Sequence, residues 1–220
     1  IVNPVSGLKK SLKVYYEAKN LFEKSDFNTS LFVSEYPNHI KDYVSKIEKN
    51  RFDRIIVFGG DGSINEVVNG LNDSNNLQSF KLGVIPTGSG NSVAHDTGLL
   101  DVKDAISKSL GDNIIKMDLN QVDFDSVSRL SVSVLGWGMF SYGNIRAEKL
   151  RLLGPMRYDV ASIITLLEKK IHKAEVEVDG KLKLLECAFI VACNSKHTGK
   201  GMVLAPKGGF TDKKIDLISV

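Results

Sequence analysis

Apolar residues in the first half of the chain recur in two alternating rhythms. Continuous apolar runs at 54–58 and 82–85 have the pattern of strands buried on both faces. Stretches of helical spacing separate such runs. Residues 9–24 place Leu12, Tyr15, Tyr16, Lys19 and Phe22 at helix-compatible intervals. Ile1-Val2 reads as the end of a strand followed by the turn Asn3-Pro4-Val5-Ser6-Gly7. A strand is predicted over 28–33 and a helix over 37–49, with Pro37 acceptable in its first turn. The strand at 54–58 runs into Gly59-Gly60-Asp61-Gly62, a helix is predicted over 63–71, and the strand at 82–85 meets Pro86-Thr87-Gly88-Ser89-Gly90-Asn91. Strand–helix alternation with buried strands predicts an α/β fold: a parallel sheet covered by helices.

The rhythm changes near Asp118. Runs at 130–134, 175–178, 181–185 and 188–192 are short and rich in β-branched residues, and Asp179-Gly180 between two of them is a hairpin signal. One helix interrupts, at 157–172, with Val160, Ile163, Ile164 and Leu167 as its apolar stripe. The expected division is therefore an α/β domain over 1–120 and a mostly antiparallel β domain over 121–220. Neither an internal repeat nor a low-complexity segment is visible.

Length and composition agree with this and narrow it. The 220 residues are 42% hydrophobic and 25% charged, the balance of a globular protein of one large or two small domains. A net charge of +3 gives no ground for a nucleic-acid partner. The only cysteines, Cys187 and Cys193, exclude a disulfide framework and suggest a reducing, cytoplasmic setting. No stretch reaches the ~20 apolar residues of a membrane span, and no signal-peptide pattern is present. The chain opens directly on a strand and ends on another, which reads as an excerpt of a longer protein whose β domain is incomplete. His39, His95, His172 and His197 are scattered without metal-ligand spacing, so no protein metal centre is expected.

Chemistry concentrates in the glycine-bearing turns. Glycines at 59, 60 and 62 let main-chain N–H groups approach an anion closely, and the following helix aims its N-terminus at the same place. An Asp amid a phosphate-binding turn is electrostatically costly. It makes sense as a base that takes a proton from an attacking hydroxyl, or beside Mg²⁺; the plainer alternative is that Asp61 caps the helix. The turn at 86–91 and the turn at 3–7 also follow strands. Strands of a parallel sheet all end on one edge, so the three turns are expected to converge on one ligand rich in acceptor oxygens, a nucleotide. Neither a Walker A loop nor a dinucleotide fingerprint occurs. In the second half Leu135, Trp137, Met139 and Phe140 interleave with Gly136 and Gly138, compatible with a pocket wall for an acyl chain or with ordinary sheet core.

The opening NPVSG, the block GGDGSINEVVNGL, the block IPTGSGNSVA and the stretch SVSVLGWGMFSYGNIRAEKLRLLGPMRYD together resemble the diacylglycerol kinase catalytic domain superfamily, which includes sphingosine and ceramide kinases. GGDG alone is shared with NAD kinases and phosphofructokinases; the combination is more specific. The resemblance implies an ATP- and Mg²⁺-dependent lipid kinase acting on a primary hydroxyl of a sphingoid base, with ceramide or diacylglycerol as alternative acceptors. An NAD kinase-like enzyme and a non-catalytic nucleotide- or lipid-binding module stay open. It implies Asp61 as the residue that deprotonates the lipid hydroxyl. It implies nucleotide contacts at Asn3, Ser6, Ser34, Gly60, Gly62, Glu66, Gly88, Ser89 and Asn91, and phosphate contacts at Arg151 and Arg157. Lipid contacts are expected at Trp137, Met139 and Asn144. At Asn144 sphingosine kinases carry a carboxylate for the sphingoid ammonium, and this chain is neutral there. The later Asp-Gly-Glu element of the family is not found before Val220. A lipid acceptor implies peripheral contact with a membrane.

Overall fold

Apolar runs become the strands of a parallel sheet whose carboxyl edge carries the glycine turns. The computed structural model describes residues 1–25, 27–139, 142, 164 and 170–220, which fall into two compact units. The first comprises Ile1–Ser133 and Asn194–Lys214; the second comprises Val134–Cys193 and Ile215–Val220.

In the first unit, β1 (Arg54–Gly59) pairs parallel with β2 (Lys81–Pro86), Ile55 opposite Leu82 and Phe58 opposite Ile85. Val2 bridges Phe58 on one side and Val33 on the other, both in parallel sense. The bonds are those of a ladder: Val2 N–H to Phe32 O at 2.8 Å, Ser34 N–H to Val2 O at 3.0 Å and Asn3 N–H to Phe58 O at 3.0 Å. The spatial order is thus Val33, Val2, β1, β2. The strand expected over 28–33 shrinks to the bridge at Val33. Asn28-Thr29-Ser30 is exposed and offers no apolar face to bury.

Helices cover both faces, as the continuous apolar strands require. Alternate residues of β1 face opposite sides. Phe58 packs with Ala18 and Phe22 of α2 (Ser11–Glu23) and with Ala105 and Ile106 of α6 (Val102–Leu110). Ile55 and Val57 pack with Ile40 and Val44 of α3 (His39–Val44) and with Val67 and Leu71 of α4 (Asp61–Asp73). Before α2 the chain makes one distorted turn, α1 (Ser6–Lys9). The helix α3 is shorter than the predicted 37–49: Asn38 at φ +67 delays its start until His39, and it ends at Val44. The helix α4 starts at Asp61, two residues earlier than the predicted Ser63, with extended Gly60 as its N-cap. Two helices are absent from the predicted set: α5 (Ser92–Thr97) and α6, the latter capped by the Asp101 carboxylate on Asp104 N–H at 2.9 Å. The unit is completed by the antiparallel hairpin of β3 (Asn120–Phe124) and β4 (Val127–Ser131).

In the second unit, β5 (Val134–Gly138), β8 (Phe189–Cys193) and β11 (Asp216–Ser219) form an antiparallel sheet ordered β11-β8-β5. The run expected as one strand over 130–134 is split between β4 and β5. A separate hairpin joins β6 (His172–Val178) to β7 (Lys181–Cys187) through Asp179 at φ +51 and Gly180 at φ +74, the turn that Asp-Gly predicts. The helix expected over 157–172 lies outside the described residues except at Ile164 and at its end, where His172 already opens β6. Both cysteines are buried and free, and burial pushes the Cys193 thiol up to about 11. The remaining two strands, β9 (His197–Thr198) and β10 (Met202–Val203), return to the first unit.

Candidate nucleotide site at the carboxyl edge of the parallel sheet

The three turns meet. Gly60, after β1, and Gly88, after β2, touch backbone to backbone: a Cβ on Gly88 would lie 2.4 Å from Gly60 Cα. Only glycine permits that approach. Gly7 in the first turn, at φ +52, lies against the third, where a Cβ would come within 1.8 Å of Thr87 O. The Ser11 and Thr87 hydroxyls, both on buried residues, share a hydrogen bond of 2.7 Å. Asn3 ties the first turn to α4 by donating from Nδ2 to Ser63 Oγ at 2.9 Å, while its Oδ1 accepts from Val5 N–H at 3.2 Å. Asn91 closes the third turn on itself: Gly88 N–H donates to its Oδ1 at 3.0 Å and its Nδ2 donates to Gly88 O at 2.9 Å.

Asp61 sits where these turns join. It is the first residue of α4, yet its carboxylate caps a different helix. Oδ2 accepts from Ser92 N–H at 2.9 Å and Oδ1 accepts from Val93 N–H at 3.1 Å, the opening amides of α5. The side chain is half-buried and held from two directions, and each oxygen retains acceptor capacity. The amides of Asp61 and Gly62 open α4, where no intrahelical acceptor exists. Gly62 is exposed, and a Cβ there would meet nothing within 4 Å. An anion set before α4 would therefore meet free N–H groups and the positive end of a helix dipole.

Known proteins resemble this chain in sequence and in fold. The diacylglycerol kinase catalytic domain family matches residues 1–122, more than half of the chain. The chain belongs to that family. The YegS C-terminal NAD kinase beta sandwich-like domain matches residues 133–220. Among curated relatives, the diacylglycerol kinase of Bacillus subtilis is 28% identical across 99% of this chain and 71% of its own length. Human ceramide kinase is 32% identical over 80% of this chain, and sphingosine kinase 2 of Arabidopsis thaliana 31% over 72%. The chain spans about a third of the length of these last two, 36% and 35% respectively. In fold, a diacylglycerol kinase crystal structure from Bacillus anthracis superposes over the whole chain and 71% of its own, with a TM-score of 0.74 at 22% identity.

The other residues expected from the diacylglycerol kinase resemblance fall in several places. Ser34 follows the Val33 bridge on the same sheet edge, with its side chain buried. Ser6 lies in the first turn and Ser89 is exposed in the third. Glu66 lies one turn further along α4, where its Oε2 accepts from Ile40 N–H at 3.2 Å and so joins α4 to α3. Arg151, Arg157 and Asn144 lie outside the described residues. Trp137 and Met139 belong to the second unit. Trp137 is 46% exposed on β5 with its ring edge-on to His172, centroids 5.3 Å apart. Met139 follows β5 and donates its N–H to Ala188 O at 2.9 Å.

Two polar groups that hold the site together were missed in the sequence. Asn69 is buried on α4; it accepts from Leu130 N–H at 3.0 Å and donates to Leu130 O and Asn65 O, both at 2.8 Å. Asp96, on α5, accepts from the amides of Lys196 and His197 and is hydrogen-bonded to the His197 ring. The signal for Asn69 was legible in retrospect: an amide on the apolar stripe of NEVVNGL needs a partner. No local pattern signals the partnership of Asp96, whose partners lie 100 and 101 residues away.

Proposed function

We propose that the chain is the catalytic part of an ATP-dependent lipid kinase that transfers the γ-phosphate to a primary hydroxyl. The observation that carries this is the meeting of three glycine-bearing turns around one carboxylate at the carboxyl edge of a parallel sheet. In such an arrangement the N-terminus of α4 and the turn amides hold phosphate oxygens, and Asp61 faces the position of the attacking hydroxyl. Asp61 accepts the hydroxyl proton as the oxygen attacks phosphorus, and ADP leaves with the pair of electrons from the broken bond. The hydrogen bonds from Ser92 and Val93 fix the carboxylate so that no reorientation is needed at that moment.

Mg²⁺ accompanies ATP in such chemistry and neutralises phosphate charge. Asp61 would be the carboxylate beside such an ion, with the phosphates and water supplying the other oxygen ligands.

The acceptor class is read from the relatives. Their names include sphingosine, ceramide and diacylglycerol, and alignment of the Bacillus diacylglycerol kinase along 99% of the chain supports a glycerolipid among the three. A lipid acceptor brings the protein to a membrane surface. Among the described residues no helix is long and apolar enough to cross one. The test is transfer of labelled γ-phosphate from ATP to micellar diacylglycerol, ceramide and sphingosine, with NAD as a soluble comparison. Labelled lipid is expected. Label on NAD alone overturns the acceptor class, and ATP binding without transfer to any acceptor overturns the activity.

A further inference from the structure

The β9–β10 hairpin belongs to the first unit, and its tip meets the third glycine turn. Met202 pairs with Thr198 and Val203 with His197, leaving Gly199-Lys200-Gly201 as the turn. There the backbone N–H of Lys200 donates to Gly90 O at 3.1 Å. Gly90 stands between the tip and the Asp61 carboxylate: a Cβ on it would lie 3.3 Å from Gly199 Cα and 3.2 Å from Asp61 Oδ2. Beside it Gly201 lies against the His95 ring, where a Cβ would meet Cε1 at 2.7 Å. Backbone contacts thus fasten the tip next to the group read as the proton acceptor.

The base of the hairpin is held by Asp96. Its side chain, 6% exposed, accepts from Lys196 N–H at 2.7 Å and from His197 N–H at 3.1 Å, and its Oδ1 is hydrogen-bonded to His197 Nδ1. A buried carboxylate that gathers its partners from one segment anchors that segment, because breaking any of the bonds leaves a polar group without solvation. Asp96 is the last but one residue of α5, whose opening amides hold Asp61. A helix of six residues is too short to be stable by itself, so the place of its first amides depends on what pins its other end. Asp61, α5, Asp96, the hairpin and Gly90 therefore close a ring of contacts.

We infer that Asp96 is a positioning residue for the Asp61 carboxylate and acts on it along both arms of this ring. Along α5 it fixes the amides of Ser92 and Val93, on which the two carboxylate oxygens rest. Along the hairpin it sets Gly90 against Oδ2 and so limits the swing of the side chain on that side. A displaced base loses rate without losing the nucleotide, since in the proposed arrangement turn amides, and not Asp61, hold the phosphates. The signature of Asp96 is therefore on kcat and not on KM for ATP. The inference rests on the reading of Asp61 as proton acceptor and adds to it the residue that keeps it in place.

Steady-state transfer from labelled ATP to micellar diacylglycerol, ceramide and sphingosine tests it on the whole protein, using Asp96→Asn and Gly90→Ala. The Asn amide keeps one acceptor oxygen and turns an NH₂ donor toward the other donors. At a temperature where melts show it folded, Asp96→Asn is expected to lower kcat about tenfold and to change KM for ATP by under about twofold. Gly90→Ala leaves Asp96 untouched but makes the Asp61 carboxylate or the tip give way, and is expected to lower kcat about threefold. In an Asp61→Asn background Asp96→Asn is expected to have almost no further effect, because the group it positions is gone. Faster hydrogen exchange at the Ser92 and Val93 amides of Asp96→Asn reads the loosened hold without any assay of activity. Where Asp96→Asn does not fold, Gly90→Ala decides alone. An unchanged kcat in either folded variant, a loss that persists in the Asp61→Asn background, or unaltered exchange at Ser92 and Val93 overturns the inference and leaves the kinase reading in place. An unaltered protein that labels no lipid overturns both.

Discussion

Replacing Asp61 by Asn tests structure and chemistry in one variant, because the carboxylate has two separable duties. Its structural duty is visible in the pair of bonds to Ser92 N–H at 2.9 Å and Val93 N–H at 3.1 Å. An amide oxygen satisfies one of these donors. The other then faces an NH₂ group, which is itself a donor, and the negative charge at the start of α5 is gone. Loss of one charge-assisted hydrogen bond with a left-over donor costs about 2 kcal/mol. For a chain of this size that lowers the melting temperature by about 4–8 °C. The chemical duty proposed for it is proton acceptance, and its removal is expected to lower phosphate transfer by about a hundredfold or more, even well below the new melting temperature. Thermal melts and labelled-ATP transfer on the same preparation separate the two. An unmoved melting temperature contradicts the geometry of the cap. Undiminished transfer by the folded variant removes Asp61 from the reaction.

Further substitutions probe the packing around it. Gly88→Ala drives a Cβ to 2.4 Å from Gly60 Cα, so it is expected to cost about 1–3 kcal/mol in a denaturant melt and to abolish ATP binding. Gly62→Ala, whose Cβ meets nothing within 4 Å, is expected to stabilise α4 by about 0.5–1 kcal/mol while weakening ATP in calorimetry, by filling the space before the helix. A melt in which Gly62→Ala and Gly88→Ala behave alike contradicts the packing described. Asn69→Ala strands the half-buried Leu130 amide and carbonyl and is expected to lose about 1–2 kcal/mol, read from the urea midpoint. Burial that pushes the Cys193 thiol up to about 11 keeps it protonated at pH 8, so iodoacetamide is expected to leave it unmodified until the chain unfolds.

The parts of the fold legible in sequence are those whose cause is local. β1 is a run of consecutive apolar residues buried by helices on both faces, and Asp179-Gly180 needs only its own dihedrals to make a hairpin. The meeting of the turns was legible because parallel strands end on one edge, whatever the intervening sequence. α5 was not: six residues carry too little periodicity, and its start is set by a carboxylate 31 residues earlier. The hairpin at 197–203 was missed for the same reason, since its anchor is a contact across 101 residues. The polar run at 28–30 reads as strand because Leu31, Phe32 and Val33 after it extend the pattern, although only Val33 pairs.

The central claim is that amides from three separate turns hold one triphosphate beside Asp61. Amide hydrogen exchange with and without ATP measures this directly. The account predicts slowed exchange at residues 3–7, 60–63 and 87–92 together when ATP is added, and little change with adenosine. Protection confined to one of these turns, or appearing only elsewhere in the chain, contradicts it.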